Sequence, residues 1–372
     1  MSIKICVYAI CKNEYKMINR WLESMSEADY IVVLDTGSTD GTFEALQQDE
    51  RITKVEQQII NPWRFDVARN ESMKLVPEDA DILVCTDFDE IFEPDWAAFL
   101  RNNWQPNYHT RCFYSYAWSH GSIGEPQFVF KYDKIHTRDY HWVFPVHEVL
   151  YPNNDNFVEN KLEADNNIFL HHYQDQSKKR NYLDLLALSV KENPDESHVK
   201  FLYAREFIND GKYEEALKLL FDTLNTANIE TPEREPVLLS TIYYIAYCYY
   251  YLKNYDETIW YCNEFIRVNN SYREPYLLMS RAFIETKVFT IAESCVLTAL
   301  KYSTYKKDWV ETAASWSYEP DLILGAIYLN MQNYDEAIKH LREALKYIPD
   351  NVEVLQQYTA ALENKIAQLS NN

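Results

Sequence analysis

Apolar and polar positions change their rhythm twice along this chain. Over the first 90 residues, short apolar runs alternate with helical spacings. Ile3 to Ile10 reads as a buried strand, and Glu14 to Met25 carries Ile18, Trp21, Leu22 and Met25 at helical intervals. Tyr30 to Leu34 predicts a second strand ending in the polar loop Asp35-Thr36-Gly37-Ser38-Thr39-Asp40-Gly41. Phe43 to Gln48 predicts a short helix, and Ile52 to Ile60 contains a third strand. Phe65 to Leu75 predicts a helix that stops before Pro77, and Asp81 to Thr86 a fourth strand. Repeated βαβ units of this kind imply a doubly wound, mostly parallel sheet. Ligands of such sheets sit beyond the carboxyl ends of the strands. Three polar clusters fall there: Lys12-Asn13-Glu14, Asp35 to Asp40, and Asp87-Phe88-Asp89-Glu90. Residues 105 to 172 are rich in aromatics and His, and predict an antiparallel extension carrying loops.

From about Ser177 the pattern becomes helical. Related phrases recur at Gly211 to Ala216, Lys253 to Thr258, Lys287 to Ala292 and Gln332 to Ala337. Their aromatic positions, Tyr213, Tyr255, Phe289 and Tyr334, lie 42, 34 and 45 residues apart. The middle interval matches the ~34-residue tetratricopeptide period. The longer two hold inserts, one at residues 231 to 236 and one at residues 306 to 318. Each unit reads as a helix, a tight turn and a second helix, with Ala where the helices approach closely. The expected domains are residues 1–175, an α/β domain, and residues 176–372, an all-α repeat domain.

With 372 residues and 47% apolar content, the chain can bury a large core. A net charge of −21 argues against nucleic acid as a partner, and a phosphorylated substrate would need a cation beside it. Six Gly in the whole chain argue against a Gly-rich phosphate loop, while thirty Tyr suit helix packing and sugar-facing surfaces alike. Seven Cys without a CxxC pair read as buried thiols in a reducing compartment. The apolar N-terminal stretch is too short for a signal peptide, and no run approaches the ~20 residues of a membrane helix. A soluble, cytoplasmic protein is expected.

The sharpest chemical element is Asp87-Phe88-Asp89, directly after an apolar strand. In an extended segment positions i and i+2 point the same way, so two carboxylates can hold one divalent ion that also takes diphosphate oxygens. Such an ion neutralises charge on a leaving nucleoside diphosphate. The plainer reading is a solvated acidic turn. Asp35 could accept hydrogen bonds from a base or a ribose; a turn with a helix N-cap near Gly41 is the competing reading. Arg69-Asn70 reads either as part of the site or as a solvated helical face. His147-Glu148 and His171-His172 are the notable His sites, since neutral imidazole is a good metal ligand. A transfer reaction also needs a base for the acceptor's proton, and Glu148 is the best-placed carboxylate, with Glu125 and Asp139 behind it. Burial by Trp142 and Phe144 is expected to raise its pKa.

Together these phrases resemble family 2 glycosyltransferases of the GT-A fold. They are similar above all to the branch joined to tetratricopeptide repeats, which includes sublancin-type S-glycosyltransferases and lipopolysaccharide-core glucosyltransferases. The matching stretches are Cys11 to Glu14, Val33 to Thr42, Asp66 to Asn70, Asp87 to Glu90, Val146 to Glu148 and His172-Tyr173, in the family's order. Gln174 stands where the family often has Gly. The resemblance implies inverting transfer from a nucleoside-diphosphate sugar, with a UDP-sugar expected, to a peptide, protein or glycan acceptor. It implies donor binding by Asn13, Glu14, Asp35, Arg69 and Asp87. Mn2+ or Mg2+ would be held by Asp87, Asp89 and His172. The repeats are expected to hold the acceptor, and a homodimer through them is a further expectation. The competing functions are a nucleotidyltransferase, which would normally show a Gly- and basic-rich first loop, and a non-catalytic repeat scaffold. Sugar, nucleobase, acceptor and linkage atom stay open at this stage.

Overall fold

The computed structural model describes residues 3–120, 124, 126–154, 156–174, 182–226, 235–304 and 312–370. Glu125 and the expected domain boundary at 175 and 176 fall outside them, as do most of the 231–236 insert and the first part of the 306–318 insert. Contacts divide the chain into two compact units, Met1–Ser189 and Val190–Asn372.

The first unit is built on strands β1 (Ile5–Cys11), β2 (Tyr30–Asp35), β3 (Lys54–Gln57) and β4 (Ile82–Cys85), which pair in parallel in the order β3-β2-β1-β4. Every residue of β1 is buried. Ile5, Val7 and Ala9 enter the core on one face of the sheet, while Cys6, Tyr8 and Ile10 enter the core on the other. That period of two, with both faces apolar, is what a strand covered by helices on both sides requires. Helices α1 (Ile18–Met25), α2 (Thr42–Gln48) and α3 (Phe65–Met73) connect these strands. The apolar seam of α1, Ile18, Trp21, Leu22 and Met25, is buried as its spacing predicts. It begins four residues later than expected. Asn13 takes φ +58°, and the backbone N–H groups of Glu14 and Tyr15 donate to Thr42 Oγ1 and Asp40 Oδ2, so these residues serve the loop rather than the helix.

Beyond β4 the sheet continues through β5 (Glu90–Phe92), β6 (Arg111–His120), β7 (Pro126–His136) and β10 (Lys161–His172), in the order β4-β7-β6-β10-β5. A helix, α4 (Trp96–Asn103), and a separate hairpin of β8 (Tyr140–Val143) and β9 (Val149–Pro152) complete the unit. The extension is not wholly antiparallel. β7 runs antiparallel to β4 and β6, but β10 returns parallel to β6, because the long excursion through the β8–β9 hairpin brings it back to the same end. β5 and α4 carry no strong periodic signal in the sequence. They are held by burial of Phe92, Trp96 and Leu100.

The second unit is a run of paired helices: α6 (Ser197–Asn209) with α7 (Tyr213–Thr226), α8 (Glu235–Tyr251) with α9 (Tyr255–Val268), α10 (Glu274–Glu285) with α11 (Phe289–Ala299), and α12 (Glu319–Asn330) with α13 (Tyr334–Leu345). A further helix, α5 (Leu183–Glu192), straddles the unit boundary, and α14 (Val352–Ser370) follows the last pair. The four recurring phrases are the four corners. Gly211, Lys253, Lys287 and Gln332 all have φ between +59° and +73°. In each, the next N–H reaches back five residues: Lys212 to Phe207, Asn254 to Tyr249, Val288 to Phe283 and Asn333 to Tyr328. This is the Schellman closure, and Gly is its natural corner residue. Four residues into each second helix, Ala216, Thr258, Ala292 and Ala337 have no exposed surface. No helix among the described residues is long and apolar enough to cross a membrane. All seven Cys are buried and unpaired.

A close helix approach sits at Gly325 on α12. A Cβ there would lie 2.6 Å from Leu341 Cγ and 2.7 Å from its Cδ2, and Leu341 is fully buried on α13. Gly325→Ala should therefore destabilise the helical unit, by up to about 2 kcal/mol. Overpacking costs about 1–3 kcal/mol, and Ala's better helix propensity offsets about 1. Urea unfolding followed by helical circular dichroism measures it, and an unchanged or higher midpoint would refute the tight α12–α13 contact.

Candidate functional site

The carboxyl ends of β1, β2 and β4 lie side by side, because β1 pairs with both of the others. The loops after β1 and β2 are sewn together. Asn13 N donates to Ser38 Oγ at 2.8 Å, and Thr39 N donates to Asn13 Oδ1 at 2.8 Å. Asp35, fully buried, accepts on Oδ1 from Gly37 N, Ser38 N and Gln57 Nε2 at 2.8–3.0 Å. Burial works against its ionisation, but these donors outweigh it and hold its pKa below the ordinary carboxylate value. Asp40 accepts from Thr42 N at 3.0 Å and so opens α2, whose N-cap residue is Gly41 at φ +92°. Turn chemistry and helix start are thus divided between the two Asp residues of this loop.

Asp87 to Glu90 is not extended. Glu90 N donates to Asp87 O at 3.0 Å, closing a turn, and Phe88 is buried against Trp21 with ring centroids 4.2 Å apart. The turn sends the two Asp side chains to different surroundings. Asp87 accepts from Arg69 Nη2 at 3.0 and 3.1 Å and from Lys134 Nζ at 3.1 Å. Burial opposes its charge, yet these two cations hold its pKa far below the usual range. Asp89 Oδ2 faces His172 Nε2 at 3.3 Å. His172 Nδ1 lies 3.4 Å from the carbonyl of Trp118, which leaves Nε2 turned toward Asp89. Burial would lower the His172 pKa, but the Asp89 carboxylate outweighs it and raises it. Trp118, 43% exposed, lies against the imidazole with ring centroids 4.7 Å apart.

Arg69 belongs to no solvated face: it is 4% exposed, on the side of α3 that also buries Asp66, Ala68 and Ser72. Its guanidinium reaches Asp87, the thiol of Cys85 at 3.1 Å and the Glu148 carboxylate. Glu148 is brought there by two ties between α3 and the segment after β8. Phe65 N donates to Pro145 O at 2.9 Å, and the Asn70 amide exchanges two hydrogen bonds with the backbone of Trp142. His147, at φ +51°, turns outward and is exposed. His171 bonds to Glu93 and His120 instead, at 3.0 and 2.9 Å.

The structure therefore assembles Arg69, Asp87 and Glu148 in one cluster, Asp89 and His172 in a second, and Asn13, Glu14 and Asp35 in the sewn loops. Sequence reasoning missed Lys134, Glu90 as its partner, Gln57 and Trp118. Lys134 is 4% exposed and also donates to Glu90 Oε1 at 3.0 Å. Burial pushes the Glu90 pKa up, against the pull of Lys134. A signal for Lys134 was present. Phe128, Phe130, Tyr132 and Lys134 alternate along β7, which puts the Lys beside Tyr132, while a register shift between Tyr132 and Ile135 turns His136 to the other face, against Tyr8. Asp89 and His172 are the side chains here that suit a hard divalent cation. No group of three or more His, Cys, Asp or Glu ligands is gathered among the described residues. A Mg2+ or Mn2+ site with one or two protein ligands takes its other oxygens from substrate phosphates and water; the Asp89 carboxylate fits that pattern, and the His172 imidazole favours the softer Mn2+ over Mg2+.

A mostly parallel, Rossmann-like sheet with acidic loops on one rim, followed by paired helices, defines a two-part class of protein: an α/β domain joined to a helical-repeat domain. Residues 6–142 match the model for glycosyl transferase family 2, and residues 323–351 match that for the tetratricopeptide repeat. The chain is a glycosyltransferase carrying a family 2 domain, with tetratricopeptide repeats after it. No curated protein matches it. Among solved structures, it is similar to a thermophilic tetratricopeptide-repeat protein of Thermus thermophilus (20% identity, 48% of this chain and 88% of that one, TM-score 0.38). It is also similar to YrrB, a repeat protein with an unusual peptide-binding site (12% identity, 48% and 83%, TM-score 0.35). A third is PilF of Pseudomonas aeruginosa (11% identity, 47% and 70%, TM-score 0.36). These likenesses are too distant to carry an argument about binding.

Behind the cluster, a buried chain of hydrogen bonds ties β8 to β1 and β7. Trp142 Nε1 donates to Tyr8 Oη at 2.8 Å, Tyr8 donates to His136 Nε2 at 2.7 Å, and His136 Nδ1 donates to Thr137 O at 2.6 Å. Burial brings the His136 pKa down to about 3 from 6.5. Its folded pKa lies below its unfolded one, so the unfolded chain takes the proton first as pH falls through 6.5, and stability is lost downward from there. His136→Gln should flatten the fall in stability between pH 6.5 and 5, by roughly 2 kcal/mol at pH 5. Urea midpoints of the sheet transition at both pH values test this, and an unchanged slope would exclude His136 as the titrating group.

Proposed function

We propose that the first unit transfers a sugar, with inversion, from a nucleoside-diphosphate sugar to an acceptor, assisted by a divalent cation. The observation that carries this is the pairing of Asp89 with His172 Nε2 beside the Arg69–Asp87–Lys134 cluster, at the carboxyl ends of β1, β2 and β4. The family match over residues 6–142 favours sugar transfer over nucleotidyl transfer and over a silent scaffold. Asp35 and Asp87 end strands two places apart, about 10 Å across the sheet, which suits the span from a nucleoside to its phosphates. In this reading Asp35 meets the base or ribose, with Asn13 and Glu14 shaping the loop around it.

Asp89 and His172 would hold Mn2+ or Mg2+, which when bound offsets charge on the leaving diphosphate. Asp87 serves the donor side rather than the cation. Its two oxygens already meet Arg69 and Lys134, so it fixes those cations where a diphosphate would approach. Glu148 is the proposed base for the acceptor's proton, positioned through Arg69. The acceptor is a peptide, protein or glycan, presented by the repeats in the cytoplasm.

Asp89→Asn should keep the fold and reduce both transfer and cation-dependent nucleotide affinity by about 100-fold or more, since losing even an outer partner of a metal site costs 10–100-fold. A chelator should do the same to the unaltered protein. Calorimetric titration of UDP with and without Mn2+ measures it; equal affinity under both conditions would remove the cation from the reading.

Glu148→Gln separates two roles. A base that becomes an amide should leave donor KM within about threefold while kcat falls by 10²–10⁴. A purely structural partner of Arg69 would instead lower thermal stability and donor affinity together. Near-normal turnover would reassign the base.

A further inference from the structure

Trp21, Trp96 and Trp142 are 0–3% exposed and belong to the cores of the first unit, but Trp118 on β6 is 43% exposed. An indole left open forgoes apolar burial that a core position would gain. Its placement follows from a bulge. Along β6, Tyr116 pairs with Phe130 and Ala117 with Val129, but the next pair is Ser119 with Phe128. Trp118 is the extra residue, skipped by β7. A bulge bends its strand and re-aims a side chain. Here it turns the indole onto the imidazole of His172, with 4.7 Å between centroids. Tyr116 stacks on the same imidazole at 6.0 Å, and Phe130 packs on Tyr116 at 5.2 Å. These rings form a wall beside the Asp89–His172 pair, with Trp118 at its exposed end.

The wall stands on the rim that carries the acidic loops. β4 and β6 both run antiparallel to β7, so Trp118, near the carboxyl end of β6, lies towards the same rim as the end of β4. In the order β2-β1-β4-β7-β6, Asp87 follows a strand two places from that of Asp35, about 10 Å away, while Trp118 is on a strand four places away, about 19 Å. A nucleoside at Asp35, with its phosphates near Asp87 and Asp89, therefore points its far end towards Trp118. In a nucleoside-diphosphate sugar that far end is the sugar ring. One face of a pyranose is a patch of C–H groups that can lie on an aromatic ring while the hydroxyls stay in water. The proposed base, Glu148, reaches the site from elsewhere, through Arg69 of α3, which packs on β1, β2 and β8.

We propose that Trp118 is the platform for the transferred sugar: the donor's hexopyranose lies with its C–H face on the indole, next to the phosphate held at Asp89 and His172. This rests on the donor reading given above and adds the residue that recognises the sugar. Nucleotide and sugar recognition are separable here. It is the Trp118 carbonyl that faces His172 Nδ1, so removal of the indole keeps that contact and the Asp89–His172 pair.

Calorimetric titration in Mn2+ tests it, with UDP and with whichever of UDP-glucose, UDP-galactose and UDP-N-acetylglucosamine binds the unaltered chain most tightly. Trp118→Ala should weaken the UDP-sugar by about tenfold and leave UDP within about twofold, the loss of one ring stack. Trp118→Phe, which keeps an aromatic face, should stay within about threefold of the unaltered chain for both ligands. Tyr108→Ala, at an exposed aromatic before the opposite end of β6, should change neither. Equal loss of UDP and UDP-sugar in Trp118→Ala would show that the indole only props His172, and would overturn the platform. Unchanged UDP-sugar affinity in Trp118→Ala, or a loss in Trp118→Phe as large as in Trp118→Ala, would overturn it while leaving the donor reading intact. An unaltered chain that binds neither UDP nor any of the three UDP-sugars would overturn the donor reading and the platform together.

Discussion

A guanidinium that is 4% exposed must be matched by charge and hydrogen bonds on every side, and most of the first unit's site follows from how Arg69 meets that demand. It draws in Cys85 and Asp87 from the end of β4 and Glu148 from the segment after β8. Asp87 in turn fixes Lys134 of β7, and Lys134 fixes Glu90 at the start of β5. Four separated stretches of chain are thereby locked at one point. Buried ion clusters of this sort add little net stability, because desolvation nearly cancels attraction. What this one contributes is orientation. With Asp87 held inward by two cations, the Asp87–Glu90 turn leaves Asp89 to the imidazole of His172.

Two carboxylates two residues apart thus differ sharply in chemistry. Asp87 sits between Arg69 and Lys134, which favour its charged form against the cost of burial. Asp89 shares its space with one imidazole nitrogen, a pair that accommodates a proton or a cation between its members. The difference comes from packing. Phe88, buried on Trp21, sets the rotation of the turn, so an apolar contact in the seam of α1 decides where each charge points. The neighbouring loops are fixed by side chains of Asn13, Asp35 and Asp40 bonding to backbone N–H groups, a local device that needs few distant contacts.

The second unit relies on repetition instead of a central charge. Its corners all use one left-handed residue and one five-residue return bond, although only the first corner has Gly. Lys253, Lys287 and Gln332 accept the strain of that conformation because helices on both sides are anchored by buried aliphatic and aromatic side chains. Asn254 and Asn333 then open the next helix by accepting from Glu257 N and Glu336 N.

Much of this architecture was legible from periodicity alone. The parallel strands, the seam of α1, the three polar clusters on one rim and the four helical corners all announce themselves through local spacing, because each is decided by residues within one or two elements. The Cys are buried and unpaired as their scatter without a CxxC pair predicts, whereas the inward face of α3 needed tertiary contacts to settle. So did the direction of β10, which depends on an excursion of some length, and β5, which is held by pairing with β10 rather than by its own composition. The extended Asp87–Asp89 geometry failed for the same reason. Spacing specifies direction only if the segment is extended, and a turn closed by Glu90 and locked by Phe88 replaced it. The sequence by itself determined which elements form and where the acidic loops lie, since those follow from propensity and period. Only the tertiary structure decided which charge meets which, because Lys134 and His172 come from two strands, Arg69 from a helix and Glu148 from a loop, and burial makes them choose partners that no local rule can name.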